Sequence, residues 1–564
     1  MNKIPTGNNS LAGKSTRVLS QGLISMIAYG VNFGASFFAV IGIINQLGPS
    51  NWGLFSLALQ VVAFTSMVAD FGIGPVIMRR LAIAPGRAIS LLLEATYGRL
   101  LLIVPTWLIT LGIGLWLKPD FSFFLMLNIM LFNMVISAKL PVLRGTLDAF
   151  YRSQSRMGLP TVTMALDSLV LLVAVLVIPL SFRDPVTALL IYTGSNLIGA
   201  ALLTSMSVSF ARRLNTEPVQ VSWPGMRELI TSSAPLAVYL LLNAFHISID
   251  AIFLKLFHGE EQVGIFTAAL RILSPLAVFP TILAISAAPY FARASVAEDD
   301  EQRAQMTRLF SVLVKTLLVG SALLAGLGAT NARLLVSAVF KPEYADSALP
   351  LIILSALFLP MALNIFLVEL NNARGHLRNN TRFAAILAGT SLIAGIPLII
   401  FYAAAGAAAA KFIAIAAGLA FLIFHSREGI AVAMKPVIGK TAILFFSLIG
   451  VRLLIGSEHW IISNGAALLV VLIELFLLRL YSADELGQWK VHILGLFGKN
   501  VRAEGREDVR SPEGATSCSP GRKPGVRETG GSASPSPSPE GALGRVGSSG
   551  REDVRAEGRE DDNS

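Results

Sequence analysis

Asp70, Arg99, Asp250 and Arg271 lie inside otherwise apolar blocks of this chain, and Lys139, Arg144 and Arg374 lie at the ends of such blocks. An ionisable group in hydrocarbon is costly, so each of these is paired, faces water or serves a ligand. Spacing points to two pairs. If one hairpin turns between Glu260 and Glu261, Asp250 and Arg271 are equidistant from the turn and share a depth. If another turns between Ala84 and Pro85, the same holds for Asp70 and Arg99. Two chemistries fit such pairs. One is a buried salt bridge that locks helices together and touches nothing else. The other is a guanidinium held by its carboxylate toward a lumen, where a planar, always charged fork takes an anion in bidentate fashion. Lys139, Arg144 and Arg374 read either as a cationic portal or as ordinary anchors at the headgroups. Asn32, Gln60 and Asn243 supply neutral donors and acceptors, useful to a hydroxyl-bearing ligand and equally to interhelical hydrogen bonds.

Those residues need an all-α polytopic membrane protein to position them. The 564 residues are 54% hydrophobic and only 14% charged, with a mean hydropathy of +0.66, which excludes a soluble enzyme. The apolar residues gather into fourteen blocks of about 20 residues, the length that crosses a bilayer. They begin with 20–44 and 53–77 and end with 441–457 and 460–480. Connecting loops alternate in charge: one set carries clusters such as Arg79, Arg80 and Arg87 or Arg212, Arg213 and Arg227, and the other at most one cation each. The positive-inside rule then places both termini in the cytoplasm. The net charge of +10 belongs to these loops, and with no recognition motif there is no case for nucleic acid.

The chain also resembles itself. Residues 45–60 align without gaps to 256–271, an offset of 211 that matches Gly48 with Gly259, Gly53 with Gly264, Phe55 with Phe266 and Gln60 with Arg271. The match extends back to Asn32 with Asn243. A second match, LRGTL at 143–147 with ARGHL at 373–377, pairs Arg144 with Arg374. Both copies have the same predicted orientation, so the repeats are parallel, an arrangement that places substrate at the interface of two lobes and moves it by alternating access. The expected organisation is a segment 1–19, an N-lobe 20–210 of six helices, a linker 211–228, a C-lobe 229–425 of six helices, two further helices at 426–480 and a tail 481–564. The tail is rich in Gly, Ser, Pro, Arg and Glu, and repeats VRAEGRED at 501 and 554; such composition buries too little apolar surface to fold.

Residues 47–82 carry a pattern of Leu47, Gly48, Trp52, Gly53, Phe55, Asp70, Gly72 and Arg79. This resembles the first hairpin of prokaryotic oligosaccharide-lipid flippases of the O-antigen translocase (Wzx) type, within the multidrug, oligosaccharidyl-lipid and polysaccharide exporter superfamily. Asp250, the run 263–273 and Pro289 are similar to the family's second lobe, and the likeness spans about 20–480. It implies a V-shaped two-lobe bundle in a bacterial cytoplasmic membrane that moves an undecaprenyl-diphosphate-linked oligosaccharide, an O-antigen, capsule or exopolysaccharide unit, between leaflets. On that reading Arg271, steadied by Asp250, attracts the diphosphate, and Lys139, Arg144 and Arg374 form the portal. Asn32 and Asn243 meet sugar hydroxyls, and helices 13 and 14 guide the polyprenyl tail. Membrane lipids and other polysaccharide assembly proteins are the further partners that the family implies.

Other chemistries find no support. Residues 7–16, GNNSLAGKST, imitate a phosphate loop with the wrong glycine spacing and no preceding strand. The six histidines lack metal-ligand spacing, and the single cysteine, Cys518, lies in the tail. No cofactor is expected, and any coupling to protons or sodium would fall to Asp70, Asp250, Glu369 or Glu474. The alternatives are a cation-coupled multidrug exporter of the same superfamily, marked by an acidic cavity without a lumenal arginine, and a lipid-linked polysaccharide polymerase or ligase, for which the loops are too short.

Overall fold

The computed structural model describes residues 11–477 except 119, 141, 179–182, 285–286, 288–299, 426–429 and 456–459. Pro289, Cys518 and the repeated tail lie outside the described residues. The helices in chain order are α1 (Leu11–Asp70), α2 (Ile73–Ile83), α3 (Ala88–Leu117), α4 (Phe121–Ile136), α5 (Arg144–Ser153), α6 (Gly158–Val177), α7 (Pro185–Leu214) and α8 (Trp223–His258). There follow α9 (Glu260–Leu273), α10 (Asp300–Thr330), α11 (Ala332–Val339), α12 (Ala348–Ala373), α13 (Leu377–His425), α14 (Ile430–Ile455) and α15 (Trp460–Leu477). No strand occurs among the described residues.

Ten helical stretches are long and apolar enough to cross a membrane. Two of them are broken inside, α1 at Gly48 and α13 at Ala403. Two shorter apolar helices, Phe121–Ile136 and Ile462–Val471, bring the set to fourteen rods among the described residues. The breaks have local causes. Gly48 takes φ 73° and ψ 170°, a conformation that only glycine adopts without strain, and Pro49 follows at the first position of the second rod, where its missing N–H costs nothing. The loop after α4 differs from expectation: the block at 121–143 is helical only to Ile136, and α5, a short amphipathic helix, occupies the following connection.

Helices α1, α3, α4, α6 and α7 pack on one another, as do α8, α10, α12, α13 and α14. The two groups meet chiefly where α1 runs along α9 and α8, and where α3 crosses α8. Lipid is as apolar as leucine, so close packing rather than expulsion of water holds such helices together, and small residues set the approach. At Gly406, just past the Ala403 break, an added Cβ would strike the carbonyl of Leu398; glycine there lets the two rods of α13 pack against each other.

Candidate functional site

The most informative contact lies at the Gly48 end of the bundle. A Cβ added to Gly53 would overlap the carbonyl oxygen of Glu260, and one added to Gly264 would overlap the carbonyl oxygen of Pro49. Both glycines, and both carbonyl residues, are separated by the repeat offset of 211. So are Thr267 and Ser56, whose hydroxyls hydrogen bond at 3.1 Å. So too are Gly48 and Gly259, the latter at φ 86° and ψ −174°. The second rod of α1 and α9 therefore cross about a local twofold axis, backbone against backbone. Around this crossing the same end is tied further. Glu260 meets Lys255 at 2.7 Å and Lys118, just past the end of α3, at 3.1 Å. Asn45 Nδ2 donates to the Val339 carbonyl at 2.8 Å, and the Tyr344 hydroxyl to the Ile44 carbonyl at 2.9 Å.

Behind this closed end, between the same two rods, lies a cavity of about 340 Å³. Trp52, Phe55, Ser56 and Gln60 of α1, Tyr192 of α7 and Thr267 and Arg271 of α9 line it, with Lys139 from the irregular segment after α4. Trp52, Phe55 and Tyr192 form a continuous aromatic wall, with ring centroids 5.2 and 5.6 Å apart. Lys139 is exposed into the cavity; its Nζ donates to Ser36 Oγ at 2.9 Å and sits 5.4 Å over the Tyr192 ring. Arg271 brings a guanidinium whose buried Nε has no hydrogen-bond partner. Among the described residues, no Asp or Glu lines the cavity. Two cations from opposite halves of the chain, enclosed by low-dielectric walls and without a lining carboxylate, make a site for an anion.

The other site candidates are placed differently. Arg99 and Asp70 do form the pair that their hairpin spacing implies, at 2.5 Å, and Arg99 also donates to Thr146 of α5. This knot sits within the first group of helices, away from the cavity lining. Asp250 and Arg271 do not pair. Asp250 instead meets Lys411 of α13 at 2.7 Å, both side chains being almost fully buried. Equal distance from a turn fixes depth but not azimuth: Asp250 projects from α8 toward α13 and Arg271 projects from α9 into the cavity. Nor does Arg144 reach a portal. It is 3% exposed, bound to Asp167 of α6 at 2.5 Å and to Thr163 at 2.9 Å, because α5 folds it back into the bundle. Arg374 lies at the far end of α12, apart from Lys139.

Asn32 accepts from Ser168 of α6 at 2.7 Å, an interhelical role, and neither Asn32 nor Asn243 lines the cavity. Gln60 does, while also accepting from Ser248 at 3.3 Å. Of the residues singled out in the sequence, Arg271, Lys139 and Gln60 thus converge. Sequence reasoning missed Lys411 and Asp167, although each is a lone ionisable residue within an apolar span. It also missed the cavity role of Tyr192, for which no local pattern gives a signal.

Residues 18–295 match the model of a family described as polysaccharide biosynthesis protein. No curated protein matches the chain. Among solved structures, the lipid II flippase MurJ in an inward closed conformation superposes with a TM-score of 0.58 at 13% identity, covering 82% of this chain and 99% of that one. An inward-facing multidrug resistance MATE family transporter of the MOP superfamily gives 0.52 at 13% identity, covering 74% and 99%. A mutant of the Vibrio cholerae MATE transporter VcmN gives 0.50 at 16% identity, covering 72% and 97%. At these identities the likeness is one of fold. Residues 18–295, just under half of the chain, thus match the polysaccharide biosynthesis protein family, on a fold similar to that of these solved structures.

Proposed function

We propose that this protein flips an undecaprenyl-diphosphate-linked oligosaccharide, a repeat unit of O-antigen, capsule or exopolysaccharide, across the bacterial cytoplasmic membrane. The observation that carries the reading is the cavity at the crossing of α1 and α9, with Lys139 and Arg271 in its lining and no carboxylate among the described residues that line it. A diphosphate bridges the two cations, Arg271 through its fork and Lys139 as a point charge. The volume suits a diphosphate and its nearest sugar, so the remaining sugars extend beyond the enclosed space. With the Gly48 end closed and external, the chamber is served from the cytoplasmic side, and separation of α1 from α9 releases the headgroup outward. The cationic lining disfavours a cation-coupled drug exporter, whose substrates the two charges repel.

The test is to delete the gene and analyse lipid-linked glycans on the inner leaflet, then to complement with wild type and with Arg271→Gln at matched expression. Build-up of one undecaprenyl-linked oligosaccharide, relieved by wild type and not by the variant, supports the proposal. No build-up, with new sensitivity to cationic dyes, refutes it in favour of drug export.

A further inference from the structure

Residues 215–222, which join α7 to α8, run as an extended strap along the Ala88 end of α3. The Thr216 and Glu217 N–H groups donate to the Gly86 carbonyl at 3.0 and 3.2 Å, and Asn215 Oδ1 accepts from the Ile89 N–H at 3.1 Å. Farther on, the Gln220 N–H donates to Ser90 Oγ at 3.0 Å, and the N–H and hydroxyl of Ser222 donate to Glu94 Oε1 at 3.3 and 3.2 Å. Ser90 and Glu94 are buried and stand one helical turn apart, so the strap is bonded to one face of α3. Two glycines allow the close approach: a Cβ on Gly86 would lie 2.6 Å from Thr216 Oγ1, and one on Gly225 2.5 Å from Glu94 Oε1.

N–H groups two residues apart that point to the same side mark an extended segment, in which side chains alternate between faces. Val219, Val221 and Trp223 therefore share a face, and they are 51%, 40% and 61% exposed. The level of that face follows from α3. Tyr97 and Trp116 are exposed on this helix and stand about 28 Å apart along its axis. That is close to the hydrocarbon thickness of a bilayer, at whose boundaries Tyr and Trp collect. The exposed Leu100, Leu101, Val104 and Leu108 lie between them. Glu94 and Ser90 lie beyond Tyr97 by about 5–10 Å along the helix, within the headgroup layer. Arg212 and Arg213 precede the strap and Arg227 follows it, all exposed, and an anionic headgroup is drawn to such charges.

We propose that this strap is a membrane-surface element, and that Val219, Val221 and Trp223 enter the boundary between the headgroups and acyl chains of an anionic leaflet. That leaflet is the inner one by the positive-inside rule. Ser90 and Glu94 hold the strap from the protein side, while lipid continuous with that around α3 covers its outer face. The covalent joint between the two groups of helices is thereby kept at one depth. This anchoring does not depend on the cavity between α1 and α9 being a transport site.

The test uses the full chain in nanodiscs of phosphatidylethanolamine and phosphatidylglycerol, where solutes reach both faces. In a Cys518→Ser background, which removes the only cysteine, the single variants Glu217→Cys, Val219→Cys and Val221→Cys each carry an environment-sensitive fluorophore. Two quenchers are compared, iodide in water and a phospholipid with a nitroxide near the top of its acyl chain. The labels at positions 219 and 221 should emit to the blue, be quenched by the lipid and be shielded from iodide, and the label at position 217 should do the reverse. A label-free measurement stands beside this one: the emission lost in Trp223→Phe belongs to Trp223, and brominated acyl chains should quench it. Exchange of phosphatidylglycerol for phosphatidylcholine should reduce the lipid quenching, and no change would overturn the assignment to anionic headgroups. Iodide quenching at positions 219 and 221 equal to that at 217, with Trp223 untouched by brominated lipid, overturns the proposal, because the strap then lies in water. Shielding from both quenchers means that a second copy or another protein covers the face, and overturns its assignment to lipid.

Discussion

Lys411→Met removes the only charged partner that Asp250, a carboxylate 1% exposed, has among the described residues. Breaking a buried ion pair from one side costs about 3–5 kcal/mol, because the surviving charge has lost its counterion and cannot reach water. Asp250→Asn strands Lys411 in the same way. The double variant Asp250→Asn/Lys411→Met leaves two neutral side chains of nearly native volume, and its cost should be within about 1 kcal/mol of wild type. In membranes the unfolded reference state also finds partners for polar groups, so the lower end of the single-variant range is expected. A deficit of about 3 kcal/mol is a factor of over 100 in the folding equilibrium. The assay is unfolding in mixed micelles by a denaturing detergent, followed by circular dichroism, for all four proteins. The reasoning predicts that the double variant is more stable than either single one. Additivity within about 0.5 kcal/mol would refute it, since the two residues would then be independent and the 2.7 Å contact without energetic content.

Three further outcomes are expected. Gly264→Ala forces α9 off the Pro49 carbonyl, so spin labels placed at Lys118 and Glu261 should report a longer distance across the Gly48 end, and an unchanged distance would remove the glycine crossing as its closure. Lys139→Gln and Arg271→Gln should each weaken diphosphate binding by about 1.5–3 kcal/mol, the worth of a hydrogen bond to a charged group, measured by calorimetry; Arg144→Gln should lower stability and leave that affinity alone. Asp148 of α5 lies outside the membrane-spanning segments, and burial raises its carboxyl above the ordinary range against the opposing pull of Arg144, Arg152 and Arg99. A raised folded value means that its contribution is complete below about pH 4, the unfolded value, and is lost as pH rises through the folded one. Asp148→Asn should therefore raise the unfolding midpoint at neutral pH, with the gain vanishing below about pH 4; an equal gain at both pH values would contradict the assignment.

Apolar blocks and charged loops made the helices legible to within a few residues at most ends, because bilayer thickness leaves little choice of length. The departures come from causes that hydropathy does not register: the left-handed backbone of Phe71 and Gly72 between α1 and α2, and α5, whose Arg144 and Thr146 are drawn back into the bundle by Asp167 and Arg99. Site residues were legible where depth sufficed, as for Asp70 with Arg99. They were not where azimuth decided, as when Lys411 took the place expected of Arg271. Repeat matching did better than pairing by depth, since it marked Gln60 and Arg271 as facing equivalents, and both line one cavity.

That equivalence has a consequence for what this cavity can hold. Two identical chains crossing about a true twofold axis must present the same side chain from both sides, so a guanidinium on one implies a guanidinium on the other. Carrying both halves on one chain lifts that constraint. Gln60 and Arg271 occupy corresponding places yet differ in charge, and Lys139 supplies the second cation from a position unrelated to either. The framework that closes the bundle, Gly53 with Gly264 and Ser56 with Thr267, keeps its symmetry, while the chamber it encloses is polarised. On the function proposed above, a headgroup with two unlike ends, diphosphate and sugar, would thereby be given a direction.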